Sequence, residues 1–169
     1  QVMALVVTAS DYVEEDPERY YTALQAELDD LVDFSGFARA VMGPYASRQR
    51  YQSLSAEGKE QLRQQAERFT EVMRVGLVRT YGKGPIAHDG SRATILRPEN
   101  AVSSAEATRS VTQLIYSSAT EPYEIQYQMR QEKSGGWKMR NLIVESINLG
   151  VIYRNQFLAS AKDYEGDLD

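Results

Sequence analysis

From Tyr123 onward, apolar and polar residues alternate one by one. Tyr123, Ile125, Tyr127 and Met129 fall on one side, and Glu124, Gln126, Gln128 and Arg130 on the other. A period of two is that of a half-buried strand with one wet face. The same period runs through Trp137 to Ile147 (WKMRNLIVESI), Ser91 to Arg97 (SRATILR) and Ser110 to Ser118 (SVTQLIYSS). The connection before Trp137, KSGG, is far too short for a parallel crossover, so these segments are expected to pair as antiparallel hairpins.

The first half of the chain has a longer period. Val2, Leu5, Val6, Ala9 and Val13 recur at helical spacing. Asp16 followed by Pro17 is a helix start, and Tyr20, Tyr21, Leu24, Leu28 and Leu31 carry that helix on. Asp33 is placed to cap a third helix, Phe34 to Met42, which Gly43 and Pro44 stop. The longest pattern, Ala56 to Tyr81, puts Leu62, Ala66, Phe69, Met73, Gly76, Leu77 and Thr80 on one face, with a cap at Ser53 or Ser55 and an end at Gly82. A last helix is expected from about Asn148, with Leu149, Ile152, Tyr153, Phe157 and Ala161 as its apolar stripe.

Helices first and a meander afterwards, with no repeat and no low-complexity linker, read as one α+β domain over residues 1–169. In it, N-terminal helices, one of them long, pack on a curved antiparallel sheet of about four strands, and a helix closes the chain. At 169 residues it is long enough to bury a core and still keep a cavity.

Charge changes the picture more than composition does. The net charge is -5, yet residues 1–33 hold nine acids against Arg19 alone, and the last seven residues add Asp163, Glu165, Asp167 and Asp169. A basic body is thus flanked by two acidic ends, which reads either as solvated surface or as a face for anionic head groups or an acidic partner. Nucleic acid is disfavoured, because the balance is negative and no basic stripe interleaves with aromatics. No run approaches the roughly 18 apolar residues of a membrane span. Gln1 opens the stretch VMALVV without a basic flank, so no leader pattern is seen. The absence of cysteine removes disulfides, thiol catalysis and thiolate metal sites.

There is no GxSxG elbow, no HExxH and no dinucleotide fingerprint, and the GKG at Gly82 to Gly84 lacks phosphate-loop spacing. The single histidine, His88, stands beside Asp89 in a turn sequence, where adjacent residues seldom form a dyad. Asp29, Asp30 and Asp33 cluster without His or Cys and without calcium-loop spacing, so neither a metal nor a cofactor is expected. Eleven tyrosines give the sheet an aromatic face with polar tips, which suits a pocket with an apolar floor and a wet mouth. The same residues also suit plain core packing against the long helix.

The run GGWKMRNLIVESINLGVIYRNQF, Gly135 to Phe157, resembles the signature of the MlaC, or toluene-tolerance, family of periplasmic phospholipid-binding proteins. VDF at Val32 to Phe34, VMGPY at Val41 to Tyr45 and the long helix ending in Tyr81 agree in order and spacing, so the resemblance spans roughly Pro17 to Lys162. Two positions depart from it: Ser146 stands where glycine is expected, and Asn141 where aspartate is common.

The resemblance implies a periplasmic carrier that shuttles phospholipid between an outer-membrane lipoprotein complex and an inner-membrane ABC transporter complex, maintaining outer-membrane lipid asymmetry. It implies no catalytic residue, a leader removed by processing, and a monomer. The cargo is expected among Phe69, Met73, Leu77 and Tyr81 of the long helix, Ile95, Leu114, Tyr116, Ile125, Tyr127, Met129, Met139, Leu142, Val144 and Ile147 of the sheet, and Tyr153 and Phe157 of the last helix. Two other classes stay open. One is a small-molecule enzyme on a cone-shaped scaffold of nuclear-transport-factor-like character, with Glu145 or Asp89 as a buried base. The other is a lipid-independent adaptor docking through its acidic ends.

Overall fold

The helix starts are fixed by side-chain caps. In the computed structural model, which describes residues 2–9, 11–82, 92–96, 108–116, 121–164 and 168, the Asp16 carboxylate accepts from the Arg19 N–H and Pro17 takes the first position of α2 (Pro17–Leu31). Asp33 accepts from the Gly36 N–H at 2.7 Å and opens α3 (Phe34–Met42). Ser55 accepts from the Gly58 N–H and opens the 26-residue α5 (Ala56–Tyr81). Each cap satisfies an N–H that the helix cannot use itself.

At the end of α3 the chain reverses on Gly43, whose φ of 54° a side chain would resist, and a short 3-10 turn (Gly43–Ala46) leads into α4 (Arg48–Ser53). The helix expected to run from Val2 to Val13 stops earlier. Helix α1 covers Val2–Ala9, and the Tyr12 and Val13 N–H groups both donate to the Ala9 carbonyl, closing a turn instead.

Five strands form one antiparallel sheet in chain order: β1 (Arg92–Leu96), β2 (Thr108–Tyr116), β3 (Tyr123–Gln131), β4 (Trp137–Val144) and β5 (Ile147–Asn148). The chain closes with α6 (Leu149–Asp163), capped by Asn148. The strand expected to be unbroken from Trp137 to Ile147 is therefore a strand, a two-residue turn and a fifth short strand. Glu145 (φ 47°) and Ser146 (φ 69°) are both left-handed, as the tightest hairpin turn requires. Neither residue is a glycine or asparagine, so the sequence gives no turn signal there.

Holding an L side chain in that region costs about 1–2 kcal/mol, part of which glycine returns as lost backbone freedom. Ser146→Gly is therefore expected to stabilise the protein by about 0.5–1 kcal/mol, read as a higher urea midpoint with an unchanged slope. A lower midpoint would refute the turn.

The helices own the core. Ala9, Tyr20, Leu24, Val32, Phe34 and Val78 form one buried cluster, against which Leu77 and Met139 pack, and the Tyr20 hydroxyl donates to the Gly82 carbonyl at 2.6 Å. Phe37, Ala38, Val41 and Met73 form a second. Along α5 the buried face is Leu62, Met73 and Val78, whereas Gly76 and Thr80, expected on it, are exposed. The reason is tertiary: α2 covers the Val78 side, where Val78 is buried with Tyr20 and Leu24.

Helices and sheet meet at the outer edge of β4. Val32 bridges Met139 in parallel, and the Asp33 N–H donates to the Met139 carbonyl at 2.8 Å. Arg140 donates to the Asp33 carboxylate at 2.7 Å through Nε, and Lys138 donates to the Asp29 carbonyl at 3.1 Å. The α2–α3 junction thus behaves as an added edge strand with ionic fasteners. At the other end of β4, Asn141 donates to Gln128 and Asn148 and accepts from the Gly150 N–H at 3.0 Å, fixing the start of α6.

Candidate functional site

Register decides which expected site residues share a face, because residues directly opposite in antiparallel strands point the same way. Ile125 faces Val144, which faces Ile147; Tyr127 faces Leu142; Met129 faces Met139 across a bulge. On the other flank Gln113 pairs with both Ile125 and Ile95. Ile95, Ile125, Tyr127, Met129, Met139, Leu142, Val144 and Ile147 therefore lie on one sheet face.

Two expected residues do not join them. Leu114 pairs with Glu124 and Thr94, and Tyr116 with Arg92, on the opposite, more polar face. Strand β2 mixes apolar and polar residues on both sides, so its own alternation cannot choose. Pairing with β3 instead brings Val111 and Ile115 to the apolar face, opposite Tyr127 and Tyr123. Those two residues escaped the sequence reading.

This face is apolar but not sealed. Among the described residues none of the buried hydrophobics belongs to β1–β4, and Ile125, Tyr127, Met129, Leu142 and Val144 are all half-buried. At the margins Ile95 is 67% exposed and Ile147 is 52% exposed. A polar tip stands within the face: the Tyr127 hydroxyl donates to Gln113 Oε1 at 2.6 Å, and burial raises that phenol above its ordinary pKa. Apolar walls with isolated hydrogen-bonding tips are the make-up of a site for an apolar ligand.

The expected helix residues form a different group. Phe69, Leu77, Tyr153 and Phe157 pack with Met73 against Phe37, Ala38 and Val41, so they serve as core between α3, α5 and α6. The Phe69 and Phe157 rings lie 5.0 Å apart, and Tyr153 meets Phe37 edge-on at 6.3 Å. Tyr81 is 42% exposed and hydrogen-bonds Tyr153, whose phenol is pushed up to about 12 by burial first and by that bond second. The two groups approach each other through the first core cluster, which Met139 and Leu77 both touch.

Two grooves open on the helical side. One, of about 200 Å³, is lined by Met42, Gln65, Phe69, Phe157, Ser160 and Tyr164 among others. That is below the roughly 300–1,000 Å³ usual for a small-ligand site. The other, of about 360 Å³, runs between α2 and α5 and is crossed by the Glu18–Arg79 and Asp29–Arg74 ion pairs. Arg74 holds the Asp29 carboxyl below the usual carboxylate range. A charged groove of this kind suits no acyl chain.

Of the carboxylates considered as catalytic bases, Glu145 is exposed in the β4–β5 turn and accepts the Glu124 N–H, which makes it a turn cap. Asp89 and His88 lie outside the described residues, as do Gly84 and most of the acidic C-terminal tail. Among the described residues no helix is long and apolar enough to cross a membrane.

A helical core carrying a five-stranded antiparallel sheet, with one apolar, tyrosine-tipped sheet face left half-open, defines an α+β fold. The chain belongs to the MlaC family, whose model, described as MlaC protein, matches residues 1–167. It is 28% identical over 154 residues to the toluene tolerance protein ttg2D of Pseudomonas putida, covering 91% of this chain and 65% of that protein's length. Its fold is similar to that of a phospholipid-binding protein from Ralstonia solanacearum solved in complex with a phospholipid, with a TM-score of 0.69 and 18% identity over 98% of this chain and 90% of the other.

Proposed function

We propose that this protein is a periplasmic carrier of phospholipid, which holds acyl tails against the apolar face of β3 and β4 and leaves the head group in water. The observation that carries the reading is the half-open face itself: Ile125, Tyr127, Met129, Leu142 and Val144 are apolar, co-facial and excluded from the helical cores. Membership of the MlaC family, and the phospholipid in the Ralstonia solanacearum structure, support the choice of cargo.

The energetics explain why such a face is needed. Moving an acyl chain into water costs about 0.8 kcal/mol per methylene, so a sixteen-carbon tail costs roughly 12–13 kcal/mol and a diacyl lipid about twice that. A protein surface of equivalent apolar area brings transfer close to isoenergetic. Partner contacts of a few kcal/mol then suffice to set its direction. In this reading the partners are an inner-membrane ABC transporter complex and an outer-membrane lipoprotein complex, the carrier travels as a monomer, and its cycle maintains outer-membrane lipid asymmetry. No step in it calls for a catalytic group.

Organic extraction of the purified protein followed by mass spectrometry is expected to return phospholipid in near-stoichiometric amount, and delipidated protein is expected to take lipid from vesicles. Protein that neither carries lipid from its host nor acquires it from vesicles would sink the carrier reading.

A further inference from the structure

Between Phe34 and Ala56, and again between Ser146 and Lys162, there is no Asp or Glu in a chain that holds 24 of them. These two stretches are α3, the 3-10 turn and α4 on one hand, and the end of the sheet with α6 on the other. Helices α3 and α6 pack together through Phe37 and Tyr153, so the acid-free stretches form one surface.

The cations of that surface gather around the Gly43 turn. The Arg154 guanidinium of α6 lies so close to Gly43 that a Cβ there would sit 3.1 Å from its Nε. Arg39, one turn earlier on α3, supplies the carbonyl that accepts the Gly43 N–H. Arg50 is stacked over the Tyr45 ring at 5.2 Å, and Tyr45 in turn meets Phe157 of α6 edge-on at 5.8 Å. Arg48 follows the Ser47 cap of α4. None of these four arginines is in an ion pair among the described residues, and Arg39, Arg48 and Arg154 are exposed. In sequence the two stretches are flanked by Asp33 and Glu57 and by Glu145 and Asp163, and Asp33 is already taken by Arg140.

Gathering four cations leaves self-repulsion that water and salt screen in part and that an anionic partner relieves further. Apolar side chains stand exposed beside them. Val151, 51% exposed, is three residues before Arg154 and so on the same helix face, and Tyr51 of α4 is 46% exposed. Unpaired arginines interleaved with exposed aliphatic and tyrosine side chains are the composition of a surface that lies in a head-group layer.

We propose that the face built from α3, α4 and the start of α6 docks on an anionic phospholipid bilayer. The arginines meet lipid phosphates while Val151 and Tyr51 enter the interface. This surface is separate from the apolar sheet face, and the proposal stands or falls independently of whether that face carries lipid.

The test is co-sedimentation with sucrose-loaded vesicles, one set of phosphatidylglycerol and phosphatidylcholine at three to seven and one of phosphatidylcholine alone. Binding is expected to the anionic set, with at least ten-fold weaker partition to the neutral set and a marked loss on raising the salt from 0.1 to 0.5 M. Each cation near such a surface is worth roughly five-fold in partition. Arg39→Gln with Arg154→Gln is thus expected to weaken binding about 25-fold, and Arg48→Gln alone about five-fold, with the far-ultraviolet spectrum unchanged in each. As a control for net charge, Arg130→Gln with Lys133→Gln at the β3–β4 hairpin is expected to leave binding within two- to three-fold. Equal binding to both vesicle sets, or equal losses in the two double variants, would overturn the proposal. So would capture on polyglutamate beads with no vesicle binding, which would assign the face to an acidic protein.

Discussion

Asp33→Ala is expected to lower the stability of the fold by about 2–4 kcal/mol, more than any other exchange of one polar side chain described here. One Asp33 oxygen caps α3 through the Gly36 N–H, and the other receives Arg140 of β4 through Nε at 2.7 Å and Nη2 at 2.6 Å. Loss of the cap costs about 1 kcal/mol. Loss of the ion pair adds about 1–3 kcal/mol, the lower part of that range being favoured because Arg140 is 36% exposed and partly screened. Against a total stability of about 5–15 kcal/mol, the midpoint of thermal unfolding would fall by roughly 5–15 °C. Asp33→Asn separates the two parts, because asparagine caps as well as aspartate but carries no charge; it should lose about half as much. Urea unfolding of the two variants measures both. A loss below 0.5 kcal/mol for the alanine variant would mean that the β4 edge is held by its backbone pairing alone.

That junction also shows where the sequence is legible and where it is not. Asp16, Asp33 and Ser55 announce helix starts because a cap is a local event, completed within three residues. The 26-residue α5 is legible for the same reason, since its period repeats many times before Gly82 ends it. The second task of Asp33, gripping Arg140 more than a hundred residues later, leaves no trace in either local pattern. Helix α4, six residues long, is too short to display a period, and its entry is a serine like many others. The break at Glu145–Ser146 is invisible because a left-handed turn there is enforced by the pairing of Val144 with Ile147 and not by turn chemistry.

The candidate site divides along the same line. Strand β3 alternates cleanly, so Ile125, Tyr127 and Met129 are co-facial from sequence alone. Strand β2 has an apolar residue on each side near its end, Leu114 on one and Ile115 on the other, and only the register with β3 assigns them. For the helices the limit is different in kind. An apolar stripe announces that something apolar covers it, but not whether the cover is a neighbouring helix or a ligand. Phe69, Met73 and Phe157 have the spacing of a pocket wall and are covered by α3.

The sheet face and its reverse offer the sharpest test of the cargo site. Leu142→Glu places a carboxylate at the centre of β4, opposite Tyr127 and between Ile125 and Met129 along the neighbouring strand. Leu142 is half-buried, so the new charge keeps access to water while the face is free, and the fold is expected to survive. Once a tail lies over it, that carboxylate loses its water and gains no partner, at a cost of several kcal/mol. Bound phospholipid is expected to fall at least a hundred-fold, corresponding to about 2.8 kcal/mol at about 1.4 per decade. Leu114→Glu makes the same chemical change two strands away, on β2, and on the opposite face, beside Glu124. Like charges across a strand pair cost up to about 1 kcal/mol of stability, yet the variant should still extract with its lipid. Mass spectrometry of the two proteins, with circular dichroism to show both folded, decides between faces. If Leu114→Glu were the one to lose lipid, the tails would lie on the polar-edged side of the sheet; if neither lost it, the cargo would not touch the sheet at all. Retention in one variant and loss in the other depends on a single residue step in register, which distinguishes a wall that holds a ligand from a sheet that is merely hydrophobic.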